Sequence, residues 1–259
     1  MQALIERFHL LAAARTLVLA AGLLTAAAAP ASALIHRYSF NDGTANDSVG
    51  KANGRLVGGV AIANGVVKFT GKDGERVELL ANGKDGINVN ALKAVTVEAW
   101  YTADSSIPGI FQRVFDFGST TGLGEKESAG KSYLFFSPLG KANSRVAGSY
   151  AKISDGSYPN ETVAEGPNAA TLAETHFAVV VDATTITLYL NGAQVQQVPL
   201  AERALAKVSN DFALLGAPLY GNDATLLGSI NEFRIYQVAL SADQVAASFH
   251  AGPNRVAVN

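Results

Sequence analysis

Cysteine is absent from the sequence, methionine and tryptophan each occur once, and only 16% of the residues are charged. Without thiols there is no disulfide framework, no cysteine nucleophile and no lipidated cysteine. The fold must therefore rest on a real hydrophobic core, with a bound metal as the remaining kind of cross-link. No Gly-x-Ser-x-Gly elbow occurs, and His36, His176 and His250 show no ligand-like spacing, which argues against a serine hydrolase and against a zinc site. Lysine plus arginine number 20 against 22 aspartate plus glutamate. That near balance, slightly acidic, excludes nucleic acid as a partner selected by bulk positive charge.

What is present is apolar and rich in turn formers, with 48% hydrophobic residues and 25 glycines among 259. Arg7 and Arg15 precede an apolar run from Thr16 to Ala29, and Pro30-Ala31-Ser32-Ala33 then offers an Ala-x-Ala cleavage site. The run is shorter than the about 20 residues that a membrane span needs, so residues 1–33 are expected to be a signal peptide. The product is then expected to be secreted or periplasmic, without membrane insertion after cleavage. Residues 34–259 suit one large domain better than two small ones.

Along that domain the hydrophobic pattern has period 2 nearly throughout. Leu34 to Phe40 alternates and runs into Asn41-Asp42-Gly43, a turn signal. Short strands are expected at Val66 to Thr70 and Glu75 to Leu80, between turns such as Asn82-Gly83. Val95 to Tyr101 places Val95, Val97, Ala99 and Tyr101 on one face and Thr96, Glu98 and Trp100 on the other, as in a central strand with its aliphatic face in the core. Phe111 to Phe117 and Ser132 to Ser137 continue the pattern on either side of a Gly- and charge-rich loop, 119–130. Thr175 to Asp182 and Thr185 to Asn191 form the clearest hairpin, and Asn191-Gly192 turns the chain into Gln194 to Pro199. The polar stretch 154–174 is too long for an ordinary connection and is either a functional loop or an unrecognised strand.

Near the end, Leu227 to Tyr236 alternates Phe233 and Ile235 against Glu232, Arg234 and Tyr236. The period then changes. Ser241 is a good N-cap, Gln244 completes a Ser-x-x-Gln capping box, and Gly252-Pro253 stops the helix. Many short strands, one closing helix and no repeat predict an all-β, antiparallel two-sheet jelly-roll sandwich.

Four stretches carry a resemblance, one of them the strand Val95 to Tyr101 already described. Asp47-Ser48-x-Gly50 with Asn53-Gly54 follows the first strand. His176-Phe-Ala-Val-Val-Val-Asp182 leads to Leu188-Tyr-Leu-Asn-Gly192. The strand from Leu227 then runs into the closing helix. In this order they resemble the laminin-G-like domains of the concanavalin A-like lectin/glucanase superfamily. The resemblance implies the same jelly roll and leaves function open, because the fold hosts lectins, hydrolases and adhesion modules.

Catalysis has little support. The superfamily's glucanases carry a Glu-x-Asp-x-x-Glu run on one strand, which places the carboxylates of a double displacement together. Here Val95 to Tyr101 holds only Glu98, and Glu232 is remote in sequence. The two form an acid pair only if they share a sheet face, and an ion pair with Arg234 is the plainer reading. For a hard cation, the loop after the first strand supplies Asn41, Asp42 and Asp47, with Glu232 completing the set if the last strand lies beside the first, so calcium is the cofactor to test. Those residue types also suit plain turns. Carbohydrate is the ligand class that the resemblance implies. Trp100, Tyr189 and Tyr236, with Glu98 and Arg234, share the non-core face and are eligible to stack and hydrogen-bond a sugar. The loops with Tyr158 and Tyr220 are an equal alternative. The expected function is a secreted, non-catalytic module for an extracellular carbohydrate or protein. The alternatives are a glycan-active hydrolase or lyase of the same fold, and a purely structural envelope component.

Overall fold

The computed structural model describes residues 33–106, 111–140, 148–156, 160–201 and 204–257. The expected signal segment, except Ala33, and Tyr158 lie outside these. Ala33 itself is buried, and its carbonyl accepts a hydrogen bond from Gln237 N at 2.8 Å.

Among the described residues fifteen strands and one α-helix follow in chain order. The first seven strands are β1 (Leu34–Tyr38), β2 (Gly54–Val57), β3 (Ala61–Ala63), β4 (Val66–Thr70), β5 (Arg76–Leu79), β6 (Val95–Ala103) and β7 (Phe115–Thr120). Then come β8 (Gly130–Gly140), β9 (Gly148–Ser154), β10 (Glu161–Gly166), β11 (Thr175–Val181), β12 (Thr185–Leu190), β13 (Ala193–Pro199), β14 (Phe212–Leu215), β15 (Leu227–Tyr236) and α1 (Ala242–Ala251). One antiparallel sheet has the order β13-β12-β11-β6-β15-β4-β3, with β1 also pairing with β15. The other has the order β10-β9-β8-β7-β14-β5-β2. This is the expected jelly-roll sandwich.

The alternation seen in the sequence decides which side chains meet between the sheets. Val97, Ala99 and Tyr101 from β6 join Phe177, Leu188 and Phe233 from their neighbours, and Phe115, Phe117 and Phe136 face them from the second sheet. Phe136 stacks on Phe177 with ring centroids 4.1 Å apart, so aromatic packing locks the sheets face to face. A bulge between Ile230 and Glu232 preserves this pattern through the last strand: Ile230 stays in the core while Glu232 and Arg234 turn to the outer face.

Four strands escaped the sequence pattern, the short β2 and β3 and the longer β9 and β10. β9 has small or polar residues at most positions, and β10 falls within the polar stretch 154–174, so neither carries a clear apolar stripe. The turn at Asn191-Gly192 is as expected. Both residues have positive φ, 48° and 78°, as a tight hairpin between β12 and β13 requires. A Cβ on Gly192 would meet the Phe249 ring at 2.9 Å, so this glycine also lets α1 approach. The helix forms as its caps dictate: Ser241 Oγ accepts from Gln244 N, and Gln244 Oε1 accepts from Ser241 N.

Candidate functional site

The residues expected to form a sugar platform do come together. Strand register aligns Tyr189, Ala178, Glu98 and Arg234 in one row across β12, β11, β6 and β15, with Trp100 opposite Glu232 in the next. They face α1 and the C-terminal segment, however, not solvent. Glu98, Arg234 and Tyr236 are 0% exposed, Trp100 is 3% and Tyr189 is 5%. Glu98 Oε1 accepts from Tyr236 Oη at 2.9 Å, from Ser248 Oγ of α1 at 2.8 Å and from Arg234 Nη1 at 3.1 Å. His176 Nε2 lies 3.2 Å from Glu98 Oε2. Arg234 reaches on to Glu232 at 2.6 Å and to the Pro253 carbonyl at 2.6 Å, with its guanidinium 4.7 Å from the Trp100 ring centre. Burial penalises the Glu98 carboxylate, yet His176, Arg234 and Ser248 together outweigh it and hold its pKa down to about 2.

A ring that stacks a sugar must present a free face, and these rings do not. The expected platform is instead the clamp that fastens the closing helix to the sheet. Glu98 and Glu232 do share a face, but Arg234 lies between them and both are sealed from solvent, so they form an ion-pair network and no accessible acid pair.

The expected metal ligands are dispersed among other partners. Asn41 Nδ2 donates to Asn254 Oδ1 at 2.7 Å, and Asp42 accepts from the backbone and hydroxyl of Thr44. Glu232 lies between two guanidiniums, with Arg37 Nε and Arg234 Nε each 2.6 Å from its Oε1. Asp47 takes hydrogen bonds from the backbone N–H groups of Arg37, Val49, Gly50 and Ala52, and its Oδ2 lies 2.6 Å from His36 Nδ1. Burial works against the Asp47 anion, but His36 and these N–H groups bring its pKa to about 2. Among the described residues no cluster of three or more acidic or histidine side chains is arranged to hold a metal. Donors that face Asp47, and guanidiniums that face Glu232, do not fit a calcium ion. Asp47 organises its loop as an acceptor hub instead.

Accessible aromatic and polar groups lie together on the other sheet. Three loops meet at its outer face and enclose a cleft of about 560 Å³: 71–76, 123–128 and 217–225. Tyr220, Leu123 and Pro218 supply apolar surface, while Asp73, Lys126 and Asn222 supply charge and hydrogen-bonding groups. The Tyr220 ring is held in place. Its hydroxyl donates to Tyr133 Oη at 3.1 Å, and Tyr133 Oη donates to Glu161 Oε1 at 2.7 Å, while Lys152 Nζ pairs with Glu161 Oε2 at 2.8 Å. The two tyrosine rings meet edge to face at 5.5 Å.

Beneath the cleft, buried Arg113 anchors the third loop. Its Nε donates to Asp116 Oδ2 at 3.0 Å, its Nη2 donates to Asp223 Oδ2 at 2.6 Å, and its guanidinium carbon lies 3.6 Å from the Phe135 ring centre. Asp116 Oδ2 also accepts from Leu219 N at 3.0 Å, so the loop is held at two points. Burial pushes the Asp116 carboxyl up to about 7 despite Arg113, and it raises Asp223 in the same sense. Of this site, the sequence pointed only to Tyr220 and to the loop 119–130. The missed signal was Arg113 and Asp116 inside the apolar run Phe111 to Phe117, where two charges three residues apart mark a buried pair.

Three comparisons bear on this arrangement. A family model described as concanavalin A-like lectin/glucanases superfamily, of laminin-G type, matches residues 79–246. No curated protein matches the sequence. Among solved structures the chain is similar to domain 4 of AbnA, an extracellular arabinanase from Geobacillus stearothermophilus, in complex with arabinotriose. The TM-score is 0.60 at 19% identity over 83% of this chain and 97% of that one. It is similar as well to botulinum neurotoxin type C, whose cell entry depends on interaction with two ganglioside molecules, with a TM-score of 0.60 and 13% identity over 84% of this chain. A third is the binding domain of botulinum neurotoxin DC in complex with rat synaptotagmin II, with a TM-score of 0.58, 12% identity and 84% of this chain covered. The chain spans 51% of each of those two toxin chains. At these identities the likeness is one of fold. With two antiparallel sheets, the capped closing helix and a family match over most of the folded region, the chain belongs to the laminin-G-type family of the concanavalin A-like lectin/glucanases superfamily.

Proposed function

We propose that the protein is a non-catalytic carbohydrate-binding module that acts outside the cytoplasm, and that the cleft around Tyr220 is its binding site. The observation that carries this is the cleft itself: a tyrosine whose ring is fixed by Tyr133 and Glu161, flanked by apolar and hydrogen-bonding groups, in a volume suited to one or a few sugar rings. Sugars expose apolar faces that stack on aromatic rings and hydroxyls that pair with amides and carboxylates, and this lining offers both. The arabinotriose complex of one neighbour and the ganglioside dependence of another support the ligand class, while the synaptotagmin complex keeps a protein ligand as the competing one. Export rests on the signal-like segment at residues 1–33. Glu98, Glu232, Asp116, Asp223 and Glu161 are each committed to arginine, lysine or histidine partners, which favours binding over chemistry at these carboxylates.

The test is a glycan array probed with residues 34–259, followed by calorimetric titration of any glycan bound. Tyr220→Ala should weaken that glycan about tenfold or more, the scale of one lost stacking contact plus its hydrogen bonds, with the melting temperature little changed. An array with no bound glycan, or Tyr220→Ala binding like the wild type, overturns the assignment. Export is checked separately by N-terminal sequencing of exported protein, which should begin at Leu34.

A further inference from the structure

The cleft has a neighbour on the same sheet face. A second cavity of about 330 Å³ opens over β2, β5 and β14, lined by Asn53, Arg55, Glu78, Leu80, Asp211 and Phe212 among others. The two cavities share a wall. Arg76 lines the first and Glu78 the second, both project from the outer face of β5, and Arg76 Nε donates to Glu78 Oε1 at 2.7 Å while Arg55 pairs with the other oxygen.

They also share a floor. A separate apolar cluster made of Tyr133, Phe135, Leu214, Ala217 and Leu219 runs beneath both, and half-buried side chains pack on it at either end. Tyr220 and Leu123 belong to the first cavity, Phe212 to the second. Charge along the rim is balanced. Arg55, Arg76 and Lys126 face Glu78, Asp211 and Asp73, and Asp223 is neutralised by Arg113. A surface with an aromatic anchor at each end, polar groups between them and no net charge matches an extended, uncharged polymer better than a compact ionic ligand.

We propose that the two cavities form one groove that binds an uncharged, linear oligosaccharide across several consecutive sugar units, with Tyr220 and Phe212 as its two stacking anchors. This rests on the carbohydrate-binding assignment and adds the ligand's form to it. Once a chain is held at Tyr220, engagement of Phe212 is intramolecular, so affinity grows with chain length until both anchors are covered.

The experiment is calorimetric titration with arabino-, xylo- and cello-oligosaccharides of increasing length, from disaccharides upward, at low and high salt. In at least one series affinity should rise about tenfold or more with length and be insensitive to salt, since no ion pair is formed with the ligand. Phe212→Ala should remove the gain with length and leave the shortest ligand unaffected, whereas Tyr220→Ala should weaken every length. Leu80→Ala, at a rim residue that is 46% exposed, gives a second variant that does not disturb the sheet and should reduce the gain in part. Equal affinity across every series, a gain retained in both Phe212→Ala and Leu80→Ala, or binding abolished by salt overturns the extended groove. A surviving effect of Tyr220→Ala in that case leaves the single-cleft assignment standing. If no oligosaccharide binds in the titrations or on the array, both fall.

Discussion

Glu98→Gln tests the clamp between α1 and the sheet with little change of shape. In the wild type one carboxylate oxygen accepts from Arg234, Tyr236 and Ser248, and the other faces His176, all without exposure to water. Glutamine keeps one acceptor, loses the charge and points an N–H₂ group at a donor. Removing one member of a buried ion pair costs about 3–5 kcal/mol, because the partner left behind remains desolvated. Titration leads to a similar figure. Displacing the carboxyl from 4.5 to about 2 corresponds to about 3 kcal/mol, at about 1.4 kcal/mol per pH unit.

The sign follows from a folded pKa below the unfolded one: the contribution is full above about pH 4.5 and is lost as pH falls through about 2. Urea melts of both proteins, followed by the fluorescence of Trp100, should therefore differ by about 3 kcal/mol at pH 7 and converge between about pH 4.5 and 2. Trp100 is the only tryptophan and lies against Arg234 in the same cluster, so it reports the clamp directly. A gap below about 1 kcal/mol at pH 7, or one that persists unchanged to pH 2, would refute the reasoning. The folded variant should bind ligand as the wild type does, because Glu98 lies beneath α1 and not in the cleft.

Other expectations follow from the same geometry. Leu188→Ala, at a fully buried site between the sheets, should cost about 2–5 kcal/mol in denaturant melts, and a loss below about 1 kcal/mol would mean that the core closes over the gap. Asp47→Ala should lower the melting temperature by freeing four backbone N–H groups and His36, while chelator should leave the wild-type transition unchanged; a drop on chelation would place a cation in that loop after all. At Gly130 an added Cβ would sit 2.6 Å from Tyr220 Cε2, so Gly130→Ala should displace the ring and weaken the bound glycan with little change in melting. Unaltered affinity in that variant would show that the ring's position does not matter.

Much of the fold was legible because its causes are local. Val95 to Tyr101, the hairpin after Thr175 and the strand ending at Tyr236 alternate cleanly, and the face each residue takes follows from the pleat alone. Ser241, Gln244 and Gly252 mark the helix for the same reason, since a cap acts within one turn. β9 and β10 were not legible, because strands whose burial is supplied by neighbours need carry no apolar stripe of their own.

The sequence by itself therefore determined the sandwich, the core and non-core faces of its strongest strands and the grouping of Glu98, Trp100, Tyr189, Arg234 and Tyr236 on one face. Only the tertiary structure decided what that face meets. Alternation separates core from non-core but is silent on whether the non-core side meets water or a helix returning from the end of the chain, and here α1 turned an eligible platform into a buried clamp. The same limit hid the cleft, whose walls come from loops near residues 71, 123 and 220 and whose anchor is Arg113. Residues so far apart in the chain share no periodicity, and nothing before the sheets pack brings them together.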